Sequence, residues 1–112
     1  MSKFQEELTK YKASMDKIGI KYDETLLEKV AKGCGPSIYN RDANSVSCGD
    51  AAERDRVKQN YLIKKLGLKD SPKLDEAIME VCEQMGKSNR NKYRAIFYYC
   101  LCVKFKKSSV YS

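Results

Sequence analysis

This chain contains no histidine. Its absence removes the side chain that most often acts as a general base near neutral pH, and leaves acid–base work to Asp, Glu, Lys, Tyr or cysteine. It also rules out a Cys/His zinc set. Cys100 and Cys102 lie two apart on an expected helix, so their side chains diverge by about 160–200°. The sequence therefore yields no catalytic residue, no metal ligand set and no cofactor. Long apolar runs are missing as well: nothing approaches the ~18 residues of a membrane span, and Met1-Ser-Lys-Phe-Gln-Glu-Glu has no apolar signal core. No transmembrane segment is expected, and the chain reads as cytoplasmic. Alternating Val/Ile/Thr segments, internal repeats and heptads are also lacking, which argues against a sheet or a solenoid.

Acidic residues are absent beyond Glu83. Residues 1–40 hold seven bases and six acids, residues 41–86 eight and nine, and residues 87–112 seven and none. The local sums of +1, −1 and +7 give the whole net charge of +7. Such one-sided charge points to an anionic partner. Only two prolines and six glycines accompany 42% hydrophobic residues, a composition that buries a core. Cysteine is present five times. An odd number, spread over helices and loop without an export signal, reads as reduced thiols, with no disulfide expected.

The apolar spacing is helical throughout. Phe4, Leu8, Tyr11, Met15 and Ile18 form one stripe, ended by Gly19. Asp23 caps a second helix with Leu26, Leu27 and Val30 inward and Gly33 as its left-handed terminator. A third runs from about Asp50 through Val57, Tyr61, Leu62 and Leu66 to Gly67. Ser71-Pro72 opens a fourth, with Leu74, Ile78, Val81, Cys82 and Met85 inward and Gly86 as its stop. Ser88 caps a fifth that runs to about Lys106. Its uncharged segment Ala95–Val103 is apolar on all sides, as in a helix enclosed by others. The expected fold is all-α: a single globular domain over residues 1–112, a compact bundle of about five helices with the C-terminal helix in the core. An irregular loop spans about 34–49, and Val110 and Tyr111 pack back from a short extended tail.

At Gly33-Cys-Gly-Pro-Ser-Ile-Tyr-Asn40, Asn60-Tyr-Leu-Ile-Lys-Lys-Leu-Gly-Leu68 and Ser88-Asn-Arg-Asn-Lys-Tyr-Arg-Ala95 the chain resembles a family of small bacterial all-helical proteins of unknown function. The resemblance implies a compact helical domain and brings no site residues with it.

Two candidate sites come from the residues themselves. The first is the basic start of the last helix: Lys87, Ser88, Arg90, Lys92 and Arg94 suit a phosphate held by side chains and backbone N–H groups. The same residues equally suit a solvated face that pairs with Glu80, Glu83 or Asp55. The second is the loop, where Cys34, Tyr39, Asn40 and Arg41 offer a polar contact set or simply turn the chain. Cys34 between two glycines is the one accessible nucleophile, yet no base is placed beside it. The function read from the sequence is non-catalytic binding of an anionic ligand, nucleic acid or other polyanion, with a protein partner at the loop as the alternative.

Overall fold

A computed structural model describes residues 3–17, 19, 21–35, 39, 46, 48–85 and 93–111. The described chain is all helical: α1 (Lys3–Lys17), α2 (Glu24–Gly33), α3 (Ala51–Val57) running on into a π-helical stretch (Lys58–Ile63), α4 (Pro72–Gln84), α5 (Arg94–Lys104), and a closing 3₁₀ turn (Ser108–Tyr111). Counting α3 and its π continuation together, five helices are described, as the periodicities require.

The start and stop signals mostly act where the sequence puts them. Asp23 accepts from Thr25 N (2.9 Å) and Leu26 N (3.2 Å), and Asp50 from Ala52 N (2.9 Å), satisfying N–H groups that have no partner within the helix. Pro72 occupies the first turn of α4, where its missing N–H costs nothing. Gly67 takes φ +72°, and Leu68 N reaches back to Leu62 O at 3.0 Å, one residue wider than the closing bond of an ordinary left-handed helix terminus because the turn before it is π-helical.

Three boundaries differ from expectation. Gly33 stays inside α2, Cys34 caps it, and Gly35 adopts the left-handed φ of +67°. The last helix as described begins at Arg94: Tyr93, expected inside it, is extended (φ −60°, ψ 136°) with its ring edge-on to Tyr11 at 5.2 Å, and the expected cap Ser88 lies outside the described residues. The tail is a 3₁₀ turn that buries part of Tyr111 and leaves Val110 exposed.

The third helix also changes its winding. Lys64 N and Leu66 N bond to Gln59 O and Tyr61 O, five residues back, at 3.2 and 2.9 Å. This wider turn buries the adjacent side chains of Tyr61 and Leu62 together. Such π turns cost regular geometry and recur at functional sites.

α5 is the centre of the core. Seven of its eleven residues are buried, Phe97 and Leu101 completely, and α1, α2 and α4 all pack on it. No helix among the described residues is long and apolar enough to cross a membrane.

The reading of five reduced thiols is corrected. Cys48 and Cys82 form a disulfide with Cα atoms 6.0 Å apart, joining the segment before α3 to the buried face of α4. Cys82 lies on that face by helical spacing, and Val46, two residues before Cys48, is itself buried, so the two sulfurs meet. Their separation of 34 positions hides this in the sequence. Cys34, Cys100 and Cys102 remain thiols.

Candidate functional site

Four elements converge on a pocket of about 370 Å³. The end of α2 supplies Gly33 and Cys34, and the π turn supplies Asn60 and Tyr61, with Lys65 following. The first turns of α5 bring Arg94 and Tyr98, and the last 3₁₀ turn brings Tyr111. The three segments singled out by resemblance (33–40, 60–68 and 88–95) each contribute to this lining.

Arg94 is anchored from both sides. One guanidinium nitrogen donates to Glu53 Oε1 at 2.6 Å, and the other donates to Tyr98 Oη at 2.9 Å, one helical turn along. The Arg94 and Glu53 side chains are only 17% and 12% exposed, so the pair is largely shielded from water. Glu53→Ala leaves the guanidinium without its counter-charge in that setting. Breaking a fully buried pair costs ~3–5 kcal/mol, and residual solvent screening brings the expected loss here to about 2 kcal/mol. Urea unfolding of the variant measures it. A loss under about 0.5 kcal/mol is the range of an ordinary surface pair, and would remove Glu53 as the anchor.

The tyrosines form the floor. Tyr61 and Tyr98 stack with centroids 4.0 Å apart and planes 8° from parallel. The Tyr61 hydroxyl donates to the Tyr98 carbonyl at 3.0 Å, so the 2.9 Å contact with Tyr111 is a hydrogen bond that Tyr111 donates. Lys65 Nζ stands 5.2 Å from the centre of the Tyr111 ring, a cation over a π face.

Burial sets the protonation. It raises Cys34 to about 11, with nearby Arg94 opposing, and raises Tyr111 to about 12. Tyr61 is driven upward by burial, and Tyr98 by burial against Arg94. These groups are neutral at pH 7, which is the reverse of what an activated thiolate needs. Positive charge comes from Lys65 and from Arg94, the latter balanced by Glu53.

The same shifts carry a pH prediction. Cys34 has an ordinary value of 9.0 and a folded value of about 11, and burial raises Cys100 from 9.0 to about 12. The unfolded chain thus releases these protons first. Their stabilising contribution is complete below about pH 9 and is lost as pH rises toward about 11–12. Urea midpoints at pH 7, 9 and 10.5 should stay level to about pH 9 and then fall. A level profile through pH 10.5 would contradict the burial of both thiols.

Of the sequence-derived site residues, the structure brings Arg94 and Cys34 together on one pocket, although they were assigned to separate sites. Tyr39 is 49% exposed and does not line the pocket. Lys87, Ser88, Arg90, Lys92, Asn40 and Arg41 lie outside the described residues. Sequence reasoning missed Glu53, Asn60, Tyr61, Tyr98 and Tyr111 as site residues, whereas Lys65 is among the lysines that the sequence offers, with Lys64, Lys69 and Lys73, to a phosphate backbone. Tyr61 and Tyr98 carry a signal only for burial, and the expected return of Tyr111 to the bundle does not say that it lands between Tyr61 and Gly33.

The family model for a protein of unknown function (DUF2853) matches residues 10–109, and the chain belongs to that family. No curated protein matches it.

Proposed function

We propose that this member of the DUF2853 family is a non-catalytic binding protein whose pocket between α2, the π turn and α5 takes a small anionic ligand. The observation that carries the reading is the placement of Lys65 and Arg94 at one concave site of about 370 Å³, within the size range of small-molecule pockets. Arg94 is held by Glu53 and presents a fixed edge, whereas Lys65 is exposed and able to reach a carboxylate or phosphate. The neutral thiol and phenols add hydrogen-bonding groups without negative charge.

Calorimetry with inorganic phosphate tests this. Lys65 is on the surface, so Lys65→Gln keeps the fold. Loss of one charge-assisted hydrogen bond should weaken binding at least about tenfold. Equal affinity in the two proteins would sink the pocket as the anion site.

Nucleic-acid backbone is the second reading, favoured by seven bases and no acid after residue 86. A test by Arg94→Gln would confuse fold with binding, because it removes the shielded partner of Glu53 and leaves that carboxylate only the more exposed Arg56. The suitable variant is Arg90→Gln with Lys92→Gln, read by fluorescence anisotropy of labelled DNA and RNA at two salt concentrations. A protein partner at the 34–49 loop retains, among the described residues, the exposed Tyr39 as support, and ranks third. In a cytoplasmic location the Cys48–Cys82 bond belongs with the transient or redox-linked disulfides, since reducing compartments keep most thiols reduced.

A further inference from the structure

We propose that the pocket recognises a phenolic carboxylate, a compact anion carrying a para-hydroxyphenyl ring, and that the chain's own Tyr111 holds the ring's place until the ligand arrives. This rests on the anion-binding reading above and supplies the other half of the ligand.

Tyr111 shows what the slot fits. Its ring edge passes 3.5 Å from where a side chain on Gly33 would begin, an ordinary contact distance, so the end of α2 forms one wall of the slot. Its hydroxyl meets the Tyr61 hydroxyl at 2.9 Å, and the Lys65 ammonium stands over its face. A flat slot, a hydrogen-bonding group at its far end and a cation over the ring together select a phenol. A base that needs an open stacking face finds the Tyr61 and Tyr98 rings already engaged with each other. The carboxylate of such a ligand has Lys65 and Arg94 within the same pocket.

The segment that carries Tyr111 is built to move. Ser108, Ser109 and Val110 are exposed, and the turn's own backbone bond, Val110 N to Lys107 O at 3.0 Å, stays within the segment. The chain enters it through Lys106 at φ +55°, a left-handed conformation that a lysine adopts only at a cost. On the described residues the turn packs on α2, Tyr111 bonds to Tyr61, and Lys107 N bonds back to Cys102 O of α5 at 3.0 Å. Swinging residues 108–111 about the bond after the Lys107 Cα frees the slot and keeps that bond to α5. A strap that is closed most of the time lowers apparent affinity by the fraction of open molecules.

The test uses 4-hydroxyphenylacetate, with phenylacetate (no hydroxyl) and acetate (no ring) as comparisons, on the full chain and on Tyr111→Ala. The expected result is binding of 4-hydroxyphenylacetate about tenfold tighter to Tyr111→Ala than to the unaltered chain. Phenylacetate should bind about tenfold weaker than 4-hydroxyphenylacetate to both, for want of one hydrogen bond. Amide NMR of the unaltered chain adds a readout independent of any variant: titration should shift the Gly33, Tyr61 and Lys65 signals together. If Tyr111→Ala does not fold, Tyr111→Phe keeps the ring, drops the mooring hydrogen bond and should still tighten binding. Ring-independent affinity, no gain on loosening Tyr111, or unmoved Gly33 and Tyr61 signals would overturn the phenol slot while phosphate binding through Lys65 still stood. Failure of every carboxylate and of phosphate would overturn both readings.

Discussion

Reduction of the Cys48–Cys82 bond is expected to lower the unfolding free energy by about 4 kcal/mol. The bond closes a loop over a sequence separation of 34. In the chain-entropy account, a loop of that size restricts the unfolded ensemble by about 3–4 kcal/mol. Domains of this length have only about 5–15 kcal/mol in total, so the effect is a large share of what holds the protein together. Thermal unfolding with and without a dithiol reductant should differ by about 15 °C, at several degrees per kcal/mol. A parallel count by alkylation of the denatured chain should find three reactive thiols (Cys34, Cys100 and Cys102) before reduction and all five cysteines after it. Five reactive thiols in the unreduced protein would show that the bond does not form, and the two unfolding curves would then coincide. The double variant Cys48→Ala, Cys82→Ala should behave as the reduced protein does, which separates loss of the bond from side effects of the reductant.

Phe97→Ala is the second large effect. Phe97 is fully buried in the middle of α5, the helix on which α1, α2 and α4 pack. Removing its ring loses the transfer free energy and leaves a cavity that three surrounding helices cannot all close at once, for a cost of about 3–5 kcal/mol. Val103, on the same helix, is 49% exposed. Val103→Ala should stay within about 0.5 kcal/mol of the parent. Urea titration distinguishes the two, with the midpoint falling for Phe97→Ala and the slope unchanged if the native state stays compact. A cost below about 1 kcal/mol for Phe97→Ala is typical of a site outside a packed core, and would mean that α5 is not the centre of this one.

How far each feature was legible depends on the range of the interaction behind it. Asp23, Asp50, Pro72 and Gly67 act on backbone groups within a few positions, and each is seen at the end it was assigned. The burial of α5 was legible because a helix that is apolar on all sides has no face to turn to water. Gly33 stays helical because the left-handed turn falls two residues later, at Gly35, a choice between two neighbouring glycines that spacing alone does not make. Tyr93 suits a helix by its neighbours, and neither its extended backbone nor its contact with the ring of Tyr11, 82 positions away, is written in them.

The site divides in the same way. Arg94 and Cys34 stood out by charge and by flanking glycines, which are local properties. That they share a pocket, that Glu53 rather than Glu80, Glu83 or Asp55 takes the guanidinium, and that Lys65 stands over Tyr111 all follow from helices packing around α5. By itself the sequence determined the helical class, most helix ends, the identity of the central helix and the crowding of positive charge toward the last one, since period, capping and charge are written into neighbouring residues. Only the tertiary structure decided the disulfide, the π turn at Tyr61 and the pocket itself, because each depends on pairs of side chains distant in the chain that packing alone brings within reach.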